Sequence, residues 1–186
     1  MTLQLTPATA LIVVDLQAAT LRTPFAHPAD GVVAATASLA AAFHEHGGPV
    51  VHAVSTGTPP GRNAYGSEPR LFPEEGRVLA AELPVHDADL RVERARLSVF
   101  SGTGLADALH GRGVTTVVVA GVATSFGVES TVREAYDLGF DVVVASDAVT
   151  DLRADTHERA LEAVFPAIGR VAASADIAAA LARARG

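Results

Sequence analysis

Short apolar runs rich in valine alternate with alanine-rich stretches along the whole chain, and this alternation limits the possible folds more than any other feature. The runs have the length of strands buried on both faces. We predict strands at Ala10–Leu16, Pro49–Ser55, Leu90–Arg94, Thr115–Val122, Asp141–Ala148 and Arg170–Ala173. The stretches between them predict helices at Gly31–His46, Gly76–Leu83, Gly104–Arg112, Ser125–Leu138, Asp155–Phe165 and Ala175–Arg185. The sequence therefore predicts one α/β domain over residues 1–186, a three-layer αβα sandwich with a six-stranded, mostly parallel sheet.

The composition excludes several classes of function. The 186 residues include no cysteine, which rules out disulfides, thiolate metal sites and thiol catalysis. A net charge of −7 argues against nucleic-acid or anionic-membrane partners. No apolar run approaches the ~18 residues that span a bilayer, and the N-terminus lacks the basic region of a signal peptide. We expect a soluble, cytoplasmic protein.

Polar groups follow several of the predicted strands, and ligands of open parallel sheets bind at the carboxyl ends of the strands. Asp15, Arg94, the stretch after Val122 and Asp147 all lie at or just past such ends. Asp15 follows a purely aliphatic run, so partial burial should raise its pKa and suit it to proton transfer. The alternative is a turn acid without catalytic function.

Two further segments carry candidate chemistry. Arg94 lies beside Arg91 and Arg96, and one of these arginines is a candidate carboxylate anchor, although each is more often a solvated surface charge. The segment GVATSFGVES joins a strand directly to a helix, where backbone amides favour an anion. Its glycines, Gly121 and Gly127, permit close backbone approach. The segment does not match a nucleotide-binding loop.

The histidines give no metal-binding pattern. Of the seven, only His52 lies on a predicted strand within reach of the rim, and an isolated strand histidine is usually structural. The connection Thr56–Glu74 is long and rich in glycine and proline, which is typical of a functional loop.

Three motifs together resemble a known family. They are the D-x-Q of ALIVVDLQ, the segment RARLSVFSGTGL, and the long block VVVAGVATSFGVESTVREAYDLGFDVVVASDAV. The chain is identified as a member of the isochorismatase-like (cysteine hydrolase) superfamily, which includes nicotinamidases, carbamoylsarcosine amidases and isochorismatases. The resemblance implies a six-stranded parallel sheet flanked by helices. It also implies a homo-oligomer, dimer or larger, for which alanine-rich Ser38–Phe43 and Ala175–Ala182 offer apolar faces.

The resemblance carries the family's functional residues onto this chain with two substitutions. The catalytic acid/base falls on Asp15, the catalytic lysine on Arg94, and the nucleophilic cysteine on Gly127. The oxyanion amides fall on Ala123 and Gly127, with an unusual cis peptide between Val122 and Ala123. The residues predicted to bind substrate within these motifs are Gln17, Phe100, Ala123, Thr124 and Ser125.

The missing cysteine leaves two hypotheses of function. Isochorismatases of the family cleave a vinyl ether without a thiol. By this resemblance the chain is a hydrolase of a small carboxylate, with Asp15 as general acid/base, Arg94 as anion anchor and water as nucleophile. The alternative is a catalytically silent homologue that binds a small molecule or a partner protein. Thr124 and Ser125 are poor replacement nucleophiles, because no neighbouring histidine is evident in the sequence.

No cofactor is expected. The nicotinamidase branch binds a metal through an aspartate and histidines after the second strand. The corresponding stretch here, HAVSTGTPPGRNAYG, offers only His52. Three protein ligands are the usual minimum for a stable site, so we expect no metal.

Overall fold

The computed structural model describes residues 3–64 and 69–184. Its centre is a sheet of six strands, all parallel, in the order β3-β2-β1-β4-β5-β6. The strands are β1 (Thr9–Val14), β2 (Val50–Ser55), β3 (Leu90–Arg94), β4 (Thr116–Val122), β5 (Asp141–Thr150) and β6 (Arg170–Ala172). The predicted fold class is confirmed, and the sheet is wholly rather than mostly parallel.

Helices cover both faces of the sheet. They are α1 (Ala18–Leu21), α2 (Ala29–His46), α3 (Leu105–His110), α4 (Glu129–Asp137), α5 (Ala154–Arg159), α6 (Phe165–Ile168) and α7 (Ser174–Ala184). A 3₁₀ turn occupies Glu74–Arg77, and π-helical turns precede α4 at Thr124–Val128 and α6 at Ala160–Val164. Gly47 ends α2 in the left-handed conformation, at φ 66°.

Alternate residues of β1 face opposite helical layers, as a strand requires. Ala10, Ile12 and Val14 pack into the cluster that includes α3, α4 and α6. Leu11 and Val13 pack into the cluster that includes α2 and α7. Because β1 is one of the two central strands and is buried on both faces, its carboxyl end lies in the middle of the sheet.

One predicted helix is wrong, and one predicted strand ends later than expected. The helix expected at Gly76–Leu83 is only the 3₁₀ turn, because the chain beyond it bonds to the segment after β1. The Ala18 N–H donates to the carbonyl of Val78. Strand β5 continues two residues past its predicted end, and Asp147 therefore lies within the strand. Its carboxylate caps Ser174 of α7 and does not reach the rim.

The alanine-rich helices bury their large side chains within one chain. Leu39 and Phe43 of α2, and Ile177 and Leu181 of α7, are all core residues. The homo-oligomer therefore remains a prediction and needs another apolar surface. Within residues 3–64 and 69–184, no helix is both long and apolar enough to cross a membrane.

Candidate active site

The strand order reverses between β1 and β4, and a cavity of about 590 Å³ opens there at the carboxyl ends of the strands. Such a reversal is where open α/β sheets bind ligands. Four strand ends contribute side chains or backbone to its wall: Asp15, Ser55, Arg94 and Val122. The predicted rim is therefore present, without Asp147.

The long connection Thr56–Glu74 forms one wall of this cavity. Gly57, Thr58, Arg70 and Phe72 line it from this connection. Residues 65–68 of the connection lie outside the described chain. The loop predicted to be functional is thus part of the site.

Asp15 is the best-positioned titratable group. It directly follows β1 and adopts φ 54°, a left-handed conformation that costs a residue with a Cβ atom free energy. Its N–H donates to the carbonyl of Ala53 at 3.0 Å, and its own carbonyl accepts the N–H of Gln17 at 2.9 Å and the hydroxyl of Thr20. These bonds hold the carboxylate at the base of the cavity.

Arg94 is paired with this carboxylate. Its Nη1 donates to Oδ1 of Asp15 at 2.7 Å, and its Nη2 donates to Oδ2 at 3.0 Å and to the carbonyl of Leu97 at 3.1 Å. The guanidinium is almost fully buried, and among the described residues its Nε has no hydrogen-bond partner. The interpretation of Arg94 as a solvated charge is therefore wrong.

The prediction that Arg94 anchors a substrate anion also needs correction. A guanidinium binds a carboxylate best through a pair of parallel N–H groups, and Asp15 occupies that pair. We therefore assign Arg94 to holding Asp15 in place. The ion pair with Arg94 and the burial of Asp15 have opposite effects on the pKa of Asp15. Burial raises the pKa of Asp15, and the positive charge of Arg94 and its hydrogen bonds lower it by less.

Gly127 faces Asp15 across the base of the cavity. A Cβ atom added there would lie 3.4 Å from Oδ2 of Asp15 and 3.1 Å from Cγ1 of Val14. The absence of a side chain at this position leaves the carboxylate open to the cavity. The predicted cis peptide between Val122 and Ala123 is present and begins the turn that carries Gly127.

The backbone of that turn is tightly arranged. The carbonyl of Ala123 accepts the N–H groups of Phe126 at 3.0 Å and Val128 at 3.2 Å. The N–H of Ser125 donates to Oδ2 of Asp151 at 2.7 Å. Ser125 is thus held by its backbone, at the side of the turn, and does not line the cavity.

Asp151 is a residue that the sequence analysis missed. It directly follows β5, is fully buried, and also accepts the N–H of Leu152 at 2.7 Å and the hydroxyl of Thr156 at 3.2 Å. The missed signal was the true end of β5: the strand stops at Thr150, which makes Asp151 the strand-end acid instead of Asp147.

Thr124 has a histidine neighbour, contrary to prediction. Its Oγ1 lies 2.9 Å from Nδ1 of His157, which α5 brings to the turn from 33 residues away. Burial lowers the pKa of His157, and the nearby His27 lowers it further. Thr124 is nevertheless fully buried and does not line the cavity. The pair links α5 to the turn and offers substrate no nucleophile in this arrangement.

Two other predicted substrate-binding residues prove to be structural. Gln17 is fully buried, and its amide bonds to the backbone N–H and carbonyl of Ser55 and to the carbonyl of Gly76. Phe100 lies in the core, stacked on Phe140 with ring centroids 5.7 Å apart. Gln17 holds the backbone around Ser55 and Gly76, Phe100 packs in the core, and neither side chain lines the cavity.

His52 does not reach the rim either. It lies mid-strand on the α2 side, where its Nε2 is 3.1 Å from Oδ2 of Asp89, while Nε2 of His44 is 2.8 Å from Oδ1. Burial lowers the pKa of His52 despite this carboxylate. Among the described residues, no group of three His, Asp or Glu side chains is arranged to hold a metal ion. The absence of a metal stays a prediction.

Comparisons with known proteins agree with one another. A family model described as the isochorismatase domain matches residues 9–176. The uncharacterized isochorismatase family protein YecD of Escherichia coli O157:H7 is 37% identical, over 91% of this chain and 94% of its own length. The structure of an isochorismatase family protein from Burkholderia thailandensis superposes with a TM-score of 0.90 at 37% identity, covering 98% of this chain and all of that one. The maleamate amidohydrolase of Pseudomonas putida is 33% identical, over 80% of this chain and 75% of its own.

Proposed function

The chain belongs to the isochorismatase family of hydrolases, and on this basis we propose that it cleaves a small carboxylate-bearing substrate without a thiol nucleophile. Asp15 moves the proton, and water is the nucleophile. The observation that carries the proposal is the open approach to Asp15: the carboxylate lies at the base of the cavity, and glycine stands where a side chain would crowd it.

The arrangement suits hydrolysis of an amide. The Asp15 carboxylate accepts a proton from water while the water oxygen bonds to the substrate carbonyl carbon. The C–N bond then breaks as Asp15 returns the proton to the leaving nitrogen, and the products are a carboxylic acid and an amine or ammonia. The N–H groups of Ala123 and Gly127 are the proposed donors to the oxyanion. The amidohydrolase among the relatives supports this class of bond.

The same residue suits hydrolysis of an enol ether. Protonated Asp15 would donate its proton to the ether's vinyl carbon, and water would add to the resulting oxocarbenium carbon and return a proton to Asp15. The C–O bond of this hemiketal would then break as a proton passes from its hydroxyl group to the leaving oxygen, which gives a carbonyl compound and an alcohol. Burial favours this use, because it raises the pKa of Asp15 and increases the share of the protonated form. The positive charge of Arg94 limits this increase in the pKa of Asp15.

A homologue that only binds its ligand is the second candidate. The observation that favours it is the ion pair itself, since both oxygens of Asp15 accept hydrogen bonds from Arg94 and their proton affinity is thereby reduced. In this case the cavity would hold a small molecule without turnover.

Turnover of isochorismate, maleamate and nicotinamide by wild type and Asp15→Asn tests the proposal. We expect isochorismate or maleamate, which carry carboxylates, to be cleaved in preference to the neutral nicotinamide, and the variant to lose about 10²–10⁴-fold in kcat. Asparagine tolerates the left-handed backbone of residue 15, and a far-UV circular dichroism spectrum checks the fold. Turnover that survives Asp15→Asn contradicts the mechanism, and no turnover of any substrate favours the binding-only candidate.

Iodoacetamide provides the control for contaminants. The chain has no cysteine, so alkylation should leave its activity unchanged. Activity that alkylation abolishes would therefore belong to a contaminating cysteine hydrolase.

A further inference from the structure

The charges around the cavity do not cancel. Among the described residues, the charged side chains that line it are Asp15, Arg70, Arg94 and Arg96. Asp15 and Arg94 neutralise each other in their ion pair. Within the described part of the chain, the exposed Arg70 and Arg96 therefore give the mouth of the cavity a positive charge, although the whole chain has a net charge of −7. A cleft with uncompensated charge of one sign concentrates ligands of the opposite sign.

Arg96 carries one of these two positive charges and lines the cavity close to Arg94. It follows β3 two residues after Arg94, so the two Cα atoms are at most about 7 Å apart. Its guanidinium lies over the turn at Gly102, with Cζ 3.8 Å and Nη1 3.9 Å from the point where a Cβ atom of that residue would stand. Within residues 3–64 and 69–184, Arg96 forms no ion pair with an acidic side chain, and its N–H groups donate to no other group of that part of the chain.

We propose that Arg96 binds the carboxylate of the substrate and selects anionic over neutral substrates. This inference rests on the proposed function for the reaction, because it names the group that holds the substrate while Asp15 acts. The carboxylate would lie at the mouth of the cavity and the scissile bond at its base. Both contacts fit one small molecule, since the whole cavity is about 590 Å³. Arg94 cannot take this role, because its paired N–H groups are bonded to Asp15.

Calorimetric titration of the wild-type protein tests the assignment. The probes are acetate, maleate, benzoate and nicotinate, each compared with its own neutral amide. We expect at least one carboxylate to bind at least ten times more tightly than its amide. Arg96→Gln should remove that preference, with at least a tenfold rise in Kd. Raising the salt concentration should weaken carboxylate binding to the wild type and have less effect on the variant.

Two arginine variants serve as controls. Arg112→Gln removes the same charge after α3, outside the cavity, and should leave the Kd unchanged. Arg70→Gln should change it less than Arg96→Gln does. The proposal is overturned if no carboxylate binds, if amides bind equally well, or if Arg70→Gln causes the larger loss.

Binding and turnover separate the two proposals. Loss of turnover in Asp15→Asn with unchanged binding in Arg96→Gln would overturn the role of Arg96 alone. Carboxylate binding that depends on Arg96, together with turnover that survives Asp15→Asn, would overturn the proposed mechanism alone.

Discussion

Oδ2 of Asp15 lies 3.4 Å from the point where a Cβ atom would stand at residue 127, where the chain has glycine. Asp15 directly follows β1, and Gly127 lies in the π-helical turn after β4, the strand next to β1 in the sheet. A thiol introduced at residue 127 would therefore be in contact with the acid. The nearest atom to the new Cβ would be Cγ1 of Val14, at 3.1 Å, and the carbonyl oxygen of Val122 would lie at 3.4 Å.

The double substitution Gly127→Cys with Arg94→Lys should create cysteine-dependent amide hydrolysis. The thiol would lie beside Asp15, and lysine would keep a positive charge that favours the thiolate. Release of ammonia from nicotinamide and maleamate, before and after iodoacetamide, measures the result. The Gly127→Ala variant controls for the added Cβ atom. If the double variant folds and no alkylation-sensitive activity appears, the site is not a cysteine-hydrolase site that has merely lost its thiol.

Arg94→Gln should move the pH dependence of turnover to higher pH. The guanidinium lowers the pKa of Asp15, so its removal leaves burial unopposed and raises that pKa further. If Asp15 acts as a base, the rising limb of kcat/KM moves to higher pH. If it acts as an acid, the falling limb moves in the same direction. Arg94→Lys keeps the charge and should shift the limb less, and equal profiles for the three proteins would contradict this role.

Asp151→Ala should destabilise the protein by about 2–4 kcal/mol, because it removes the buried carboxylate that accepts the N–H groups of Ser125 and Leu152 and the hydroxyl of Thr156. It should also reduce kcat, since the turn with Gly127 loses its attachment to β5. Urea unfolding and steady-state kinetics measure the two effects. Asp155→Ala is the matched control, because that exposed carboxylate bonds to Arg153 and should matter little. Equal stability of the two variants would refute the prediction.

Acid should reduce the free energy of unfolding below about pH 6.5. The folded state depresses the pKa of His52 through burial, so the unfolded chain binds a proton first as the pH falls. Each histidine of this kind contributes a slope of at most about 1.4 kcal/mol per pH unit. The pKa of Asp89 is also depressed, chiefly by its hydrogen bonds, and this part of the stability is lost only below about pH 4.

Urea unfolding at pH 5, 6 and 7.5 checks the histidine effect. His52→Gln should flatten the dependence between pH 5 and 6.5, because the depressed pKa of His52 is then absent. A wild-type stability that is constant across this range would contradict the assignment.

The sequence alone was sufficient for the layered architecture and for the edge of the sheet at which the candidate site lies. Buried parallel strands need continuous apolar runs, so the pattern of residues reveals the layers directly. The end of a strand can be recognised from the residues around it, and the carboxyl ends of parallel strands lie at the same edge of the sheet. Asp15 and the turn with Gly127 could therefore be placed at one edge from the sequence. The absence of cysteine excluded thiol chemistry from composition alone.

Only the tertiary structure decided what each polar side chain does. Asp15 and Arg94 are 79 residues apart, Gln17 and Ser55 are 38 apart, and Thr124 and His157 are 33 apart. Partners at such separations meet through the packing of loops, and no local periodicity predicts which of them are buried. Arg94 is buried against Asp15 and Arg96 is exposed, although the two arginines are only two residues apart in the sequence. A buried polar group is stable only when it has a hydrogen-bond or ion-pair partner. Here those partners come from distant parts of the sequence, and only the tertiary structure shows which residues they are.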